Sequence, residues 1–178
     1  MRHSEISESE LTEYVREAVR ISREHVARGG IPFSGVVVNH GRILGTGFNR
    51  VREDNDPTAH AEVVALRQAA ATYGLHATAG ATLIASGEPC ALCYMASLYF
   101  NVSHIVHAVD RLTAARYGFD YTGSYSIFAD DPESWPLRVT SLRTPGDTEP
   151  FTDFLRLDRT DLRTAEHTTT RTADRERP

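Results

Sequence analysis

The chain has 178 residues, 40% of them hydrophobic and 24% charged, which suits one domain with a full hydrophobic core and is cramped for two. A formal net charge of −5 argues against nucleic acid as a partner, and no apolar run approaches the roughly 20 residues that cross a bilayer. The acidic, polar N-terminus lacks the apolar core of a signal peptide, so cytoplasm is the expected compartment, where the two cysteines would stay reduced.

Taken in chain order, the spacing predicts an amphipathic helix over 7–28, with Leu11, Tyr14, Val15, Ala18, Val19, Ser22 and Val26 on its apolar stripe and Gly29-Gly30 at its end. Apolar runs at 35–38 and 43–48 flank Asn39-His40-Gly41-Arg42, which is turn chemistry for a hairpin. A second helix is predicted from Pro57, capped by Asp56 and stopped by Gly74. A strand at 81–85, a helix at 89–100 and a strand at 105–109 follow, and this alternation implies parallel neighbours in a sheet covered by helices. The aromatic stretch 113–131 reads as a short helix and a loop near a site, 137–142 as a last strand and 151–157 as a short terminal helix. The expected class is α/β: a three-layer α-β-α sandwich around a central mixed five-stranded sheet within one domain, 1–159. The polar tail 160–178 has too little apolar surface to fold and is expected to be disordered.

Both cysteines lie in Gly87-Glu88-Pro89-Cys90-Ala91-Leu92-Cys93, thirty residues after Asn55-Asp56-Pro57-Thr58-Ala59-His60-Ala61-Glu62. Cys90 and Cys93, at i and i+3 of a helix, leave the same face and can share a metal with His60. One imidazole and two thiolates give Zn²⁺ three ligands, where a structural site takes four, so a position is left for water. Glu62, two residues past the histidine, is placed to handle that water's protons. Two predicted helix N-termini converge here, and their dipoles favour thiolates. A redox pair would leave His60 and Glu62 without a role, and a structural zinc site would need a fourth ligand that no further cysteine supplies. The combination His-x-Glu with Pro-Cys-x-x-Cys is the known signature of zinc-dependent nucleobase deaminases.

At these residues the chain resembles the cytidine-deaminase-like superfamily, and within it the bacterial guanine deaminases and their relatives, over roughly residues 10–157. The resemblance includes Gly30-Ile31-Pro32-Phe33, Gly47-Phe48-Asn49, the whole run 55–62, Gly118-Phe119-Asp120 and Pro150-Phe151. It implies zinc on His60, Cys90 and Cys93, proton transfer by Glu62, and base contacts from Asn49, with Phe33, Ala61, Asp120, Tyr121 and Phe151 completing the substrate site. It further implies a homodimer that exchanges C-terminal segments, here 151–157, and a small-molecule base or nucleoside as substrate. Three departures stand out. Tyr121 replaces a second aspartate after Gly-Phe-Asp, Gly87 replaces the first cysteine of Cys-Glu-Pro-Cys, and Ser34-Gly35 replaces Gly-Ala. Asp147 or Glu149, in a longer loop before Pro150, offers a second acid. Guanine is the first substrate expected; cytosine, guanosine, a triazine-like heterocycle, adenosine in tRNA and a non-enzymatic zinc module are the alternatives.

Overall fold

The computed structural model describes residues 6–129, 144, 145, 148–150 and 152. The chain divides into two compact units, Met1–Trp135 and Pro136–Pro178. In the second, the Thr152 N–H donates to the Thr148 carbonyl at 3.2 Å, closing one turn. The predicted strand 137–142, most of the predicted terminal helix with Phe151, and the tail 160–178 lie outside the described residues. The segment expected to be exchanged between copies, 151–157, lies outside them too, apart from Thr152.

The first helix, α1 (Glu8–Ala27), begins at a capping box: Ser7 Oγ accepts from the Glu10 N–H, and the Glu10 carboxylate accepts from the Ser7 N–H at 3.0 Å. Its buried stripe is Ala18, Ser22 and His25, flanked by Tyr14, Val15 and Ile21. Val19 and Val26, expected on that stripe, are exposed, because the 100° step between residues puts them off the line that 18, 22 and 25 share. Strands β1 (Ser34–Asn39) and β2 (Arg42–Phe48) form the predicted hairpin. His40 and Gly41 both take positive φ, at 50° and 70°, the pair of angles that a two-residue hairpin turn requires.

The sheet runs β2-β1-β3-β4, with β3 at Thr82–Gly87 and β4 at His104–Val109. β1 pairs antiparallel with both neighbours and β3 pairs parallel with β4, so the sheet is mixed, as expected. It has four strands among the described residues and not the five predicted, because the fifth rested on 137–142. Alternation along the central strands feeds two cores. Val36, Val38 and Ile84 face α1, whereas Val37 and Leu83 face Ala65, Leu66 and Ala69 of α3 (Ala61–Tyr73) and Ala96 of α4 (Ala91–Tyr99). Helices therefore cover both faces of the sheet. Among the described residues, no helix is long and apolar enough to cross a membrane.

Glycines set how closely α3 approaches. A Cβ on Gly45 would lie 2.4 Å from the Ala65 carbonyl oxygen, one on Gly47 2.4 Å from that of Ala61, and one on Gly35 3.1 Å from Glu62 Cα. Gly35 pairs with Gly47 across the β1–β2 ladder. The first turn of α3 thus rests on bare backbone, and the Ser34-Gly35 departure contributes to that floor.

Candidate active site

Both helices that carry the motif start later than the sequence predicts. The Asp56 carboxylate accepts from the Thr58 N–H at 2.8 Å and its hydroxyl at 2.7 Å, forming a turn and not a helix cap. A short helix, α2 (Val51–Asp54), and a left-handed Asn55 precede that turn. α3 therefore begins at Ala61 with His60 as its N-cap, and α4 begins at Ala91 with Cys90 as its N-cap. Neither side chain hydrogen-bonds to its own helix end. Both extended cap residues are left free to point at each other across two helix N-termini.

The side chains of His60, Cys90 and Cys93 present ligand atoms that all lie within 4.8 Å of one another. His60 Nδ1 is 3.4 Å from Cys90 Sγ and 3.5 Å from Cys93 Sγ, and the two sulfurs are 3.7 Å apart. A tetrahedral zinc centre, with Zn–S of about 2.3 Å and Zn–N of about 2.0 Å, has S···N edges of about 3.5 Å and S···S edges of about 3.8 Å. The donor set therefore fits zinc in type, number and spacing. Both cysteines are free thiols, so the pair is not a disulfide.

Electrostatics divides the cluster. Hydrogen bonding from Cys93, helped by His60, pulls the Cys90 thiol down to about 4, while its bond to Cys90 and its burial push the Cys93 thiol up. The hydrogen bond to Cys90 raises the pKa of His60. Glu62 is only 5% exposed, and burial pushes its carboxyl up to about 7 against the pull of backbone and Cys93 hydrogen bonds. Its Oε2 accepts from Cys93 Sγ at 3.4 Å. A carboxyl with that value at neutral pH both takes and gives protons.

Beside the cluster lies a cavity of about 240 Å³, lined by Ile31, Phe33, Asn49, Val51, His60, Glu62, Glu88, Cys90 and Tyr121. That is below the roughly 300–1,000 Å³ of pockets for drug-sized ligands, and suits a smaller molecule. Phe33, Asn49 and Tyr121 are thus brought to the wall. Asn49 is buried, and its Oδ1 accepts from the Val51 N–H at 3.1 Å, fixing the amide plane. Phe33 is held edge-on by Phe119 at 5.3 Å and Tyr121 at 6.2 Å, and a Cβ on Gly87 would meet its ring at 2.8 Å. The glycine that departs from Cys-Glu-Pro-Cys therefore makes room for the Phe33 ring.

Other expected substrate contacts are placed elsewhere. Ala61 is fully buried at the first position of α3 and does not line the cavity. The exposed Asp120 carboxylate accepts from the Thr122 N–H at 3.0 Å and its hydroxyl at 2.6 Å, turned into its own loop. Phe151 and Asp147 lie outside the described residues. Sequence reasoning passed over Ile31, Val51 and Glu88 as lining residues. Ile31 and Glu88 sit inside quoted motifs, and Val51 follows Asn49 by two positions, so proximity to a motif was the available signal.

Three protein ligands with an open position distinguish catalytic from structural zinc sites, which makes this a metal-hydrolase layout. Residues 8–109 match the family model for the cytidine and deoxycytidylate deaminase zinc-binding region, and the chain belongs to that family. It is accordingly a zinc-dependent deaminase, one of a family of hydrolases that act on C–N bonds. The chain is 38% identical to guanine deaminase of Bacillus subtilis over 108 residues, 60% of this chain and 69% of that one. It is 34% identical to the tRNA-specific adenosine deaminase of Haemophilus influenzae over 129 residues, 71% of this chain and 72% of that one. The X-ray structure of the Bacillus subtilis guanine deaminase is similar with a TM-score of 0.72 at 30% identity, covering 85% of this chain and 95% of that one.

Proposed function

We propose that this chain deaminates a free aminated purine base, guanine first, using water and releasing ammonia. The observation that carries the reading is Glu62, a buried carboxyl that both lines the small cavity and touches Cys93 of the metal cluster. Burial of a carboxylate is costly and a purely structural metal site has no use for one. When bound, zinc supplies the Lewis acidity that makes water nucleophilic at neutral pH.

The chain's own residues do the rest. Glu62 accepts a proton as water adds to the ring carbon bearing the amine, and delivers it to the adjacent ring nitrogen. It accepts the second proton of that water and passes it to the departing amine, so the C–N bond breaks with loss of ammonia and the carboxylate is restored. The ring product carries oxygen where the amine was, which for guanine is xanthine. Asn49, with Oδ1 held by Val51, offers its NH₂ group to an acceptor on the base, and Phe33 and Tyr121 wall the ring in. The likeness to the Bacillus subtilis guanine deaminase over 85% of the chain supports guanine as the first candidate.

The second reading, adenosine in tRNA, draws on the 34% identity to a tRNA-specific adenosine deaminase. The net charge of −5 weighs against it, and Arg50, next to the lining residues Asn49 and Val51, is engaged by both oxygens of Asp54 at 2.6 and 2.8 Å. Ammonia release across guanine, adenine, cytosine, a triazine, their nucleosides and tRNA tests the substrate. Glu62→Gln should lower the best of these activities by at least about 100-fold with zinc retained. Near-normal turnover by that variant would sink the assignment.

A further inference from the structure

The loop between β3 and α4 delivers Cys90; the Glu88 N–H ties it to β4, donating to the Val109 carbonyl at 2.7 Å, but its carbonyls have no main-chain partner among the described residues before the helix begins. β3 ends at Gly87, and the first carbonyl used inside α4 is that of Cys90, which accepts from the Tyr94 N–H at 3.0 Å. The carbonyls of Glu88 and Pro89 therefore fall outside both the ladder and the helix. The Ala91 N–H is one of the donors that every helix start leaves unpaired. All three groups are met from one segment that starts at Tyr121 and continues into the 3₁₀ helix Thr122–Ala129. Tyr121 Oη donates to the Glu88 carbonyl at 2.7 Å, Tyr125 Oη donates to the Pro89 carbonyl at 2.5 Å, and Ser124 Oγ accepts from the Ala91 N–H at 3.3 Å. Arg111 braces the arrangement, with its guanidinium 4.8 Å above the Tyr125 ring and 2.9 Å from the Glu88 carboxylate.

We infer that Tyr121, Ser124 and Tyr125 are positioning residues that strap the Glu88–Pro89–Cys90 loop and thereby set how firmly the site keeps its metal. The inference rests on the reading of His60, Cys90 and Cys93 as the zinc ligands. Its physical basis is that Cys90, as an N-cap with extended backbone, is tied to α4 only through its own carbonyl, so the placement of its sulfur also depends on the Glu88–Pro89 loop that leads into it. A buried carbonyl that loses its donor draws the loop toward other partners, water included. Residues that support metal ligands in this indirect way typically change metal affinity by about 10- to 100-fold when removed.

Tyr125→Phe and Tyr121→Phe delete only the hydroxyls and keep the rings, and the double variant deletes both. Holoenzyme of each is mixed with a chromogenic zinc chelator and the rate of zinc loss is followed. The expected result is loss about 10-fold faster for Tyr125→Phe and up to about 100-fold faster for the double variant. Ser124→Ala should move the same way, and Ser124→Thr, which keeps a hydroxyl, should restore slow release. Ser126→Ala is the control: its Oγ donates to the Gly123 carbonyl within the segment at 2.9 Å, so zinc loss should match the parent. A purely packing role would lower the melting temperature of the Phe variants while zinc left at the parental rate, and that result overturns the strap. A parent protein purified without zinc would instead overturn the metal site, and the strap with it.

Discussion

Replacing Gly47 with alanine should separate positioning from stability at the catalytic helix. The added Cβ would lie 2.4 Å from the Ala61 carbonyl oxygen and 2.6 Å from the Ala65 nitrogen, both backbone atoms that cannot rotate away. Ordinary contact begins at 3.4 Å. The first turn of α3, which carries Glu62 and follows His60, must then lift by about 1 Å, a displacement that costs reactions held in place by an enzyme about 100-fold in rate. Overpacking of this kind costs about 1–3 kcal/mol, or roughly 2–12 °C of melting temperature for a chain of this size. Gly45→Ala supplies the comparison, because its Cβ would lie 2.4 Å from the Ala65 carbonyl and 2.8 Å from the Ala69 nitrogen, a similar clash one turn further along. Both variants should melt lower by similar amounts, and Gly47→Ala should lose at least about 10 times more kcat/KM for ammonia release. Equal losses in the two variants, or parental activity in Gly47→Ala, would show that the glycine floor does not place Glu62.

Metal and acid should each act on stability in a signed way. The three ligands tie the start of α3 to the start of α4, so chelation from a state with free zinc about 100-fold above its dissociation constant should remove about 2.7 kcal/mol, or about 5–10 °C; a melting temperature indifferent to chelator would contradict the site. Thr58, Thr113 and Thr122 hold the carboxyls of Asp56, Asp110 and Asp120 below their ordinary values by hydrogen bonds. Each group's contribution is present above the unfolded pKa of about 3.9 and is lost as pH falls through the depressed folded value, so midpoints should drop below about pH 4. Denaturant unfolding across that range checks it, and Asp110→Asn should flatten the acid limb.

What the sequence made legible was the chemistry that depends on residue type at short range. The grouping of His60, Cys90 and Cys93, with Glu62 beside them, could be read because a zinc site admits few side chains and their spacing is set by two helix starts. The hairpin turn could be read because His40-Gly41 must take positive φ. Helix starts could not, since an aspartate before Pro57 suits both a helix cap and a turn back to Thr58, and local sequence does not choose between them. The strap was out of reach for a related reason: Tyr125 meets a carbonyl 36 residues away, and no local pattern marks a tyrosine whose partner is main chain. Gly45 and Gly47 were equally silent. A strand glycine reads as a weak point until a helix is seen resting on it.

The remaining question is which ring enters, and Tyr121 is where it can be tested. Its hydroxyl is already committed as a donor to the Glu88 carbonyl, and burial pushes its pKa up, so at neutral pH it is an uncharged group with only lone pairs to offer. Among the described lining residues, the Glu88 carboxylate is taken by Arg111, leaving Glu62 as the acid facing the cavity. Guanine carries ring N–H donors on both of its rings, and a carboxylate accepts from such a donor more strongly than a neutral hydroxyl does, by about 1.4 kcal/mol or about tenfold in kcat/KM. If Tyr121 chooses the base, guanine is turned over more weakly by the parent than another heterocycle, and the guanine-first reading gives way to that compound. Tyr121→Asp should raise the ratio of guanine to that heterocycle by about tenfold. The ratio is the right measure because both activities fall together if the variant also loosens the Cys90 loop, and Tyr121→Phe shows that loss alone. Guanine turned over by the parent as fast as any other compound, with the ratio unmoved in Tyr121→Asp, would show that this tyrosine does not choose the base.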